Sequence, residues 1–177
     1  MLRLKKIYYI LYLYLRNGNS YARKLGVEFG DGCRLYTTSW GTEPFLIKIG
    51  NNVTITSGVK FLTHDGSTCL VKDDLGNRYQ RYGRISIGNN VFVGVNSIIF
   101  PGVSIGDNVI VGAGALVNKS LESNSVYVGT PVKRVSSFSE YADKIRSSCA
   151  SNSDLINTED YKSRVMKALE IQHEKSS

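Results

Sequence analysis

Histidine and cysteine are scarce, with two of the first and three of the second in 177 residues. Cys33, Cys69 and Cys149 are odd in number and share no motif spacing. That argues against a disulfide framework and a zinc site, leaves no metal-ligand cluster in view, and points to a reducing cytosol. Long apolar runs are also missing. Residues 7–15, a nine-residue run of Ile, Leu and Tyr behind Arg3, Lys5 and Lys6, fall short of the about 20 apolar residues that span a bilayer. No small-x-small cleavage site accompanies that run, which argues against a signal peptide. Acidic residues are few, 15 against 22 basic, and the formal net charge of +7 favours an anionic ligand or surface. The basic residues are scattered and form no recognised nucleic-acid motif, so a nucleic-acid partner is not expected.

What the chain does have is a six-residue beat. Ile87, Val93, Ile99, Ile105, Val111 and Val117 recur at every sixth position, and all are β-branched. Gly88, Gly94, Gly106 and Gly112 follow four of them. Four positions on from each come Val91, Ser97, Val103, Val109, Ala115 and Leu121, all small or apolar. This period is the hexapeptide signature of a parallel β-helix, with one short strand and turn per hexapeptide and three hexapeptides per coil. The β-branched residue suits a strand and points inward. Glycine tolerates φ > 0 and close backbone approach at the turns. Gly88 and Gly106, like Gly94 and Gly112, are eighteen residues apart and should stack, burying a core that no single repeat could bury.

The beat runs upstream through Ile49 and Ile55, and begins a third unit at Phe61 that fails at Asp65. Phe29 to Arg34 reads as an earlier, degenerate unit with Cys33 as a small inward residue. Residues 67–84 interrupt the repeat with Lys72, Asp73, Asp74, Arg78, Tyr79, Arg81 and Tyr82, and a long polar insertion in a rigid solenoid reads as a binding loop. The expected organisation is an N-terminal helical segment at 1–24, a β-helix at 25–135 and a C-terminal helical extension at 136–177. The first segment is expected to cap the open end of the prism or pack on a neighbouring subunit. The competing reading rests residues 3–16 on an anionic membrane face. Helices are expected over 139–147 and 158–172, the second N-capped by Thr158 and serving packing or oligomer contacts.

Of the two histidines, His173 lies in the polar tail, whereas His64 sits where the coil breaks off into the insertion. Imidazole is the side chain best suited to take a proton near neutral pH. An orienting partner would hold its tautomer, and Asp65 and Glu43 are both candidates. Asp65 is adjacent, but neighbours on a strand point oppositely, while Glu43 could reach from the previous coil. Trp40 could form part of a sugar-binding wall or simply pack.

The stretches Thr38 to Pro44, Ile49 to Ile55, Thr63-His64-Asp65-Gly66, Ile87 to Gly94, Pro101 to Asn108, Val111 to Ala115 and Val128 to Lys133 resemble the hexapeptide-repeat, left-handed β-helix acyltransferases. Within that superfamily they are most similar to sugar O-acetyltransferases of surface-polysaccharide biosynthesis. The resemblance implies an all-β solenoid, a left-handed parallel β-helix, assembled as a homotrimer. It implies acetyl-CoA as co-substrate in a groove between prisms, no metal, and a cytoplasmic location, to which the membrane reading of residues 3–16 adds peripheral contact at the inner membrane face. It implies that His64 is the general base on a hydroxyl of a sugar or polysaccharide precursor, with Arg78 and Tyr82 of the insertion, and Trp40, near that acceptor. Coenzyme contacts are implied around Phe92, Gly94, Val95, Ala113, Asn118 and Lys119, with oxyanion donors near Gly94. Lys133 and Arg134 either face the coenzyme's phosphates or form a solvated basic end. Phe92 stands where many relatives carry Trp, and Asn118 where Thr is common. The alternatives are acetylation of another small acceptor (an amino sugar nitrogen, an antibiotic or serine) and a non-catalytic trimeric scaffold.

Overall fold

The second apolar position of one hexapeptide lies two residues before the first of the next on one strand, so both side chains fall on the same face. Val91 and Val93 show this, both buried on either side of the exposed Phe92. In the computed structural model, which describes residues 18–176, all six residues of the beat from Ile87 to Val117 are buried, as are the six at the second position. Each buried Val or Ile contributes about 1.5–3 kcal/mol relative to exposure, which makes this stripe the main source of stability.

The described residues make thirteen short strands: β1 (Glu28–Phe29), β2 (Arg34–Leu35), β3 (Ile47–Ile49), β4 (Thr54–Ile55), β5 (Lys60–Phe61), β6 (Ile85–Ile87), β7 (Val91–Val93), β8 (Ile98–Ile99), β9 (Ser104–Ile105), β10 (Val109–Val111), β11 (Leu116–Val117), β12 (Ser125–Val128) and β13 (Lys133–Ser137). They form three sheets, ordered β1-β3-β6-β9, β13-β12-β10-β7-β4-β2 and β11-β8-β5. From β3 to β11 successive strands enter the three sheets in rotation, and the pairing between successive coils is parallel. Stacked partners are 18 residues apart in the regular coils, 20 in the first and 38 where the insertion intervenes. The excursion leaves the ladder in register on both sides.

Two residue types make the corners. Gly88 and Gly94 have ordinary φ, and their role is close approach: a Cβ would meet Asp107 Oδ1 at 2.4 Å on the first and Ala113 N at 2.4 Å on the second. The left-handed corner position is held instead by Asn52, Asn90, Asn108 and Asn124, with φ between 53° and 57°. Asparagine tolerates that region better than other side chains. Their amides form a ladder, Asn52 Nδ2 to Asn90 Oδ1 at 2.8 Å, Asn90 to Asn108 at 3.1 Å and Asn108 to Asn124 at 2.8 Å.

Helix α1 (Gly18–Leu25) packs on β1 and β2, burying Ala22 in the core. Asn19 fixes it by donating to Cys33 O at 2.7 Å and accepting from Leu35 N at 3.0 Å. The membrane reading of residues 3–16 and the rest of the N-terminal segment lie outside the described residues. Among the described residues no helix is long and apolar enough to cross a membrane. The insertion folds back on itself through a 3-10 turn (Gly66–Leu70) and the antiparallel bridges Lys72–Arg78 and His64–Tyr82. Gly76, at φ 81°, makes its turn, and Asp73 Oδ1 accepts from Leu75 N and Asn77 N.

The described residues divide into two units between Val135 and Ser136. In the second, α2 (Phe138–Ser148) begins at a capping box of Ser137 and Glu140. Helix α3 (Tyr161–Ser176) starts later than residue 158. Thr158 is not its cap, because its hydroxyl donates to Leu155 O, and Asp160 instead accepts from Ser163 N at 2.7 Å.

Candidate active site

Beyond β5 the alternation continues, so Thr63 points inward and is buried while His64 points out. Glu43 comes from the coil below, where Pro44 opens a 3-10 turn (Pro44–Leu46) and turns the chain toward this corner. Glu43 Oε2 accepts from Thr63 Oγ1 at 2.5 Å and lies 3.0 Å from His64 Nδ1. The Thr63 hydroxyl in turn accepts from the Glu43 amide at 3.4 Å. Hydrogen bonds from Thr63 first, and then from His64, hold the Glu43 carboxyl below the usual glutamate value. An ionised carboxylate only accepts, which assigns a proton to Nδ1 and, in the neutral imidazole, leaves the lone pair on Nε2.

Asp65 does not share this role. Its Oδ1 accepts from Ser67 N at 3.0 Å and Ser67 Oγ at 2.6 Å, and Arg81 Nη1 lies 3.7 Å from Oδ2. The Ser67 hydroxyl and amide hold its carboxyl low, and it anchors the start of the insertion. Of the two orienting candidates, the structure brings Glu43 and not Asp65 into hydrogen-bond reach of His64.

The returning arm of the insertion forms the opposite wall. The Tyr82 ring stands edge-on to His64, with centroids 6.2 Å apart. Glu43, His64, Asp65, Arg78, Arg81 and Tyr82 border a cleft of about 190 Å³. A second groove of about 570 Å³ runs along Leu62, His64, Arg81, Phe100, Pro101 and Asn118. His64, Asp65, Gly66 and Arg81 border both, so the imidazole stands where the cleft and the groove meet.

The other candidates are distributed differently. Trp40 forms no acceptor wall: it is 1% exposed and stacks on Phe61 with centroids 5.0 Å apart, so its ring is a core group. Gly94 supplies no oxyanion donor through its own amide, because that N–H donates to Val111 O at 2.8 Å. Phe92, Gly94, Val95 and Ala113 lie on the second sheet and the corner after it, and border neither cavity at His64, whereas Asn118 lines the larger one. Lys119 and Lys133 are exposed, and Arg134 Nε donates to Ser125 Oγ at 2.9 Å. Thr63 and Arg81 were not among the expected site residues. Thr63 carried a signal, a hydroxyl at an inward position beside the histidine. Arg81 carried none, because the insertion's turn sets its place.

Residues 84–119 match the family described as the hexapeptide repeat of succinyl-transferase. Protein CapG of Staphylococcus aureus is 51% identical over 126 residues, covering 70% of this chain and 73% of CapG. A galactoside O-acetyltransferase of Lactococcus lactis is 40% identical over 111 residues, and the chain spans 52% of its length. Among solved structures, a hexapeptide-repeat acetyltransferase from Vibrio cholerae shares the fold, with a TM-score of 0.54 at 24% identity over 64% of this chain and 63% of that one.

Proposed function

This chain belongs to the hexapeptide-repeat acyltransferase family, and from that premise we propose that it transfers an acetyl group from acetyl-CoA to a hydroxyl of a sugar in surface-polysaccharide synthesis. The observation that carries the proposal is the His64–Glu43 pair at the junction of two cavities. A direct transfer needs such a junction, because acceptor and thioester must both reach one base.

In this reading the acceptor occupies the smaller cleft and the thioester end of acetyl-CoA the larger groove. Leu62, Phe100 and Pro101 suit an apolar pantetheine chain, and Asn118 supplies a polar contact. His64 Nε2 takes the proton of the acceptor hydroxyl as its oxygen attacks the thioester carbonyl carbon. Collapse of the tetrahedral intermediate breaks the C–S bond, and the proton passes from the imidazolium to the departing sulfur. Glu43 stabilises that imidazolium through Nδ1, and Thr63 positions Glu43. Such general base catalysis contributes about 10²–10⁴-fold.

The same proposal makes the strand coil a left-handed β-helix and the working unit a homotrimer acting on the cytoplasmic side. In a trimer, Phe92, Gly94, Val95 and Ala113 of a neighbouring subunit would be the ones to line a coenzyme groove. The 40% identity to a galactoside O-acetyltransferase supports a sugar hydroxyl as acceptor. The test is mass spectrometry of sugars and lipid-linked oligosaccharides incubated with acetyl-CoA. The expected product gains one acetyl group and loses it in mild alkali, as an ester does. An alkali-stable product would mean an acetylated nitrogen, and no product with any acceptor would overturn the proposal.

A further inference from the structure

The acceptor cleft has an uneven distribution of charge. Its carboxylates, Glu43 and Asp65, are on the coil side and already engaged, the first by Thr63 and His64, the second by Ser67 and Arg81. Its guanidinium groups, Arg78 and Arg81, come from the returning arm of the insertion. Arg81 has a long contact to Asp65 at 3.7 Å. Arg78 is tied by its backbone to Lys72, but its side chain makes no hydrogen bond or ion pair among the described residues. A cleft of about 190 Å³ holds roughly six water volumes, the scale of one hexose ring. An unpaired guanidinium on the wall of a hexose-sized cleft is a ready bidentate partner for a carboxylate or phosphate.

We propose that the acceptor is an anionic sugar, and that Arg78, seconded by Arg81, binds its negative group while its hydroxyl lies against His64. The inference rests on the acetyl-transfer reading for the identity of this cleft and adds the chemical class of its ligand. The shared chemistry is an oxyanion on or beside one hexose ring, either a ring carboxylate or a phosphate ester at the anomeric carbon. Arginine reads both, and its forked donors distinguish them from a neutral sugar by charge. The insertion thus selects as well as covers, because the cations it delivers are absent from the coil side of the cleft.

The experiment is calorimetric titration of the full chain with three ligands: a methyl hexuronide, a hexose 1-phosphate and the neutral methyl hexoside. Wild type and Arg78→Gln are compared, with the melting temperature as the control for folding. A hydrogen-bonded charge pair predicts that one of the anionic ligands binds about 10- to 100-fold tighter than the neutral sugar, and that Arg78→Gln brings this ratio to within about threefold. The ligand that shows the preference identifies carboxylate or phosphate as the source. Equal binding of all three, no binding of any, or a preference that persists in Arg78→Gln would overturn the inference. Acetyl transfer is scored separately in the same samples. Arg78-dependent anion binding without transfer would overturn the enzymatic reading and leave the anion site standing.

Discussion

Replacing Glu43 with Gln tests the device on which the chemistry depends. One oxygen, Oε2, receives both the Thr63 hydroxyl at 2.5 Å and His64 Nδ1 at 3.0 Å. While Nε2 is unprotonated these are bonds to a carboxylate from neutral donors. Once Nε2 takes a proton, the second becomes an ion pair, so the carboxylate stabilises the transition state more than the ground state. Glutamine keeps the shape but offers a neutral oxygen. A bond to a charged group contributes about 1.5–3 kcal/mol against roughly 0.5–1.5 for a neutral one. The difference, roughly 1–2 kcal/mol, corresponds to about 5- to 30-fold in kcat. Side-chain exposures of 17% for Glu43 and 41% for His64 place the effect in the lower part of that range, since solvent screens the pair. The assay is CoA thiol release under saturating acetyl-CoA, with kcat and KM separated. Asp65→Asn should lower kcat less, because that carboxylate holds Ser67 and not the imidazole. A Glu43→Gln variant with wild-type kcat, or one less impaired than Asp65→Asn, would refute the reasoning.

Thr63→Val should lower kcat by a smaller factor, and Thr63→Ser should restore it, which a merely space-filling role would not produce. The same variant shifts acid stability. Glu43's carboxyl is held low in the folded state, so its contribution is present above the unfolded glutamate value and is lost as pH falls through the folded one. Removing the hydroxyl that does most of this raises the folded value toward the unfolded one, so the acid-linked fall in the urea midpoint of Thr63→Val should be smaller, and complete at less acid pH, than that of wild type; superimposable pH dependences would exclude the effect. Gly88→Ala should destabilise by about 1–3 kcal/mol, since its Cβ would meet Asp107 Oδ1 at 2.4 Å and Gly106 C at 2.9 Å. Gly66→Ala, which meets nothing within 4 Å, should be close to neutral in the same denaturation assay, and equal losses for both would contradict the stacking account.

How far the structure can be read from the chain depends on what kind of contact sets each position. Burial at every sixth residue is a local choice repeated, so Ile87 to Val117 declare the coil directly. The reason for glycine was half visible. Gly88 is required by the approach of the next coil, but the left-handed turn belongs to Asn90, whose ladder partners Asn52 and Asn108 lie a coil away on either side. His64 stands out because it sits where the coil breaks off at Asp65 into the insertion, and Glu43 is within reach of inference because 21 residues, close to one coil, separate them. Arg78, Arg81 and Tyr82 take their places from the fold-back of the insertion at Gly76, which no periodicity announces. The choice between wall and packing at Trp40 stays open in the sequence for a related reason. That residue sits in an irregular segment where nothing in the chain reveals that Phe61, one coil on, stacks against it.

The most direct test of the central claim is CoA thiol release by His64→Ala beside wild type, with an acceptor sugar that wild type acetylates. The account predicts a loss of about 10²–10⁴-fold in kcat, with an unchanged melting profile. Turnover within a few-fold of wild type would remove His64 as the base, and with it the mechanism built on the His64–Glu43 pair.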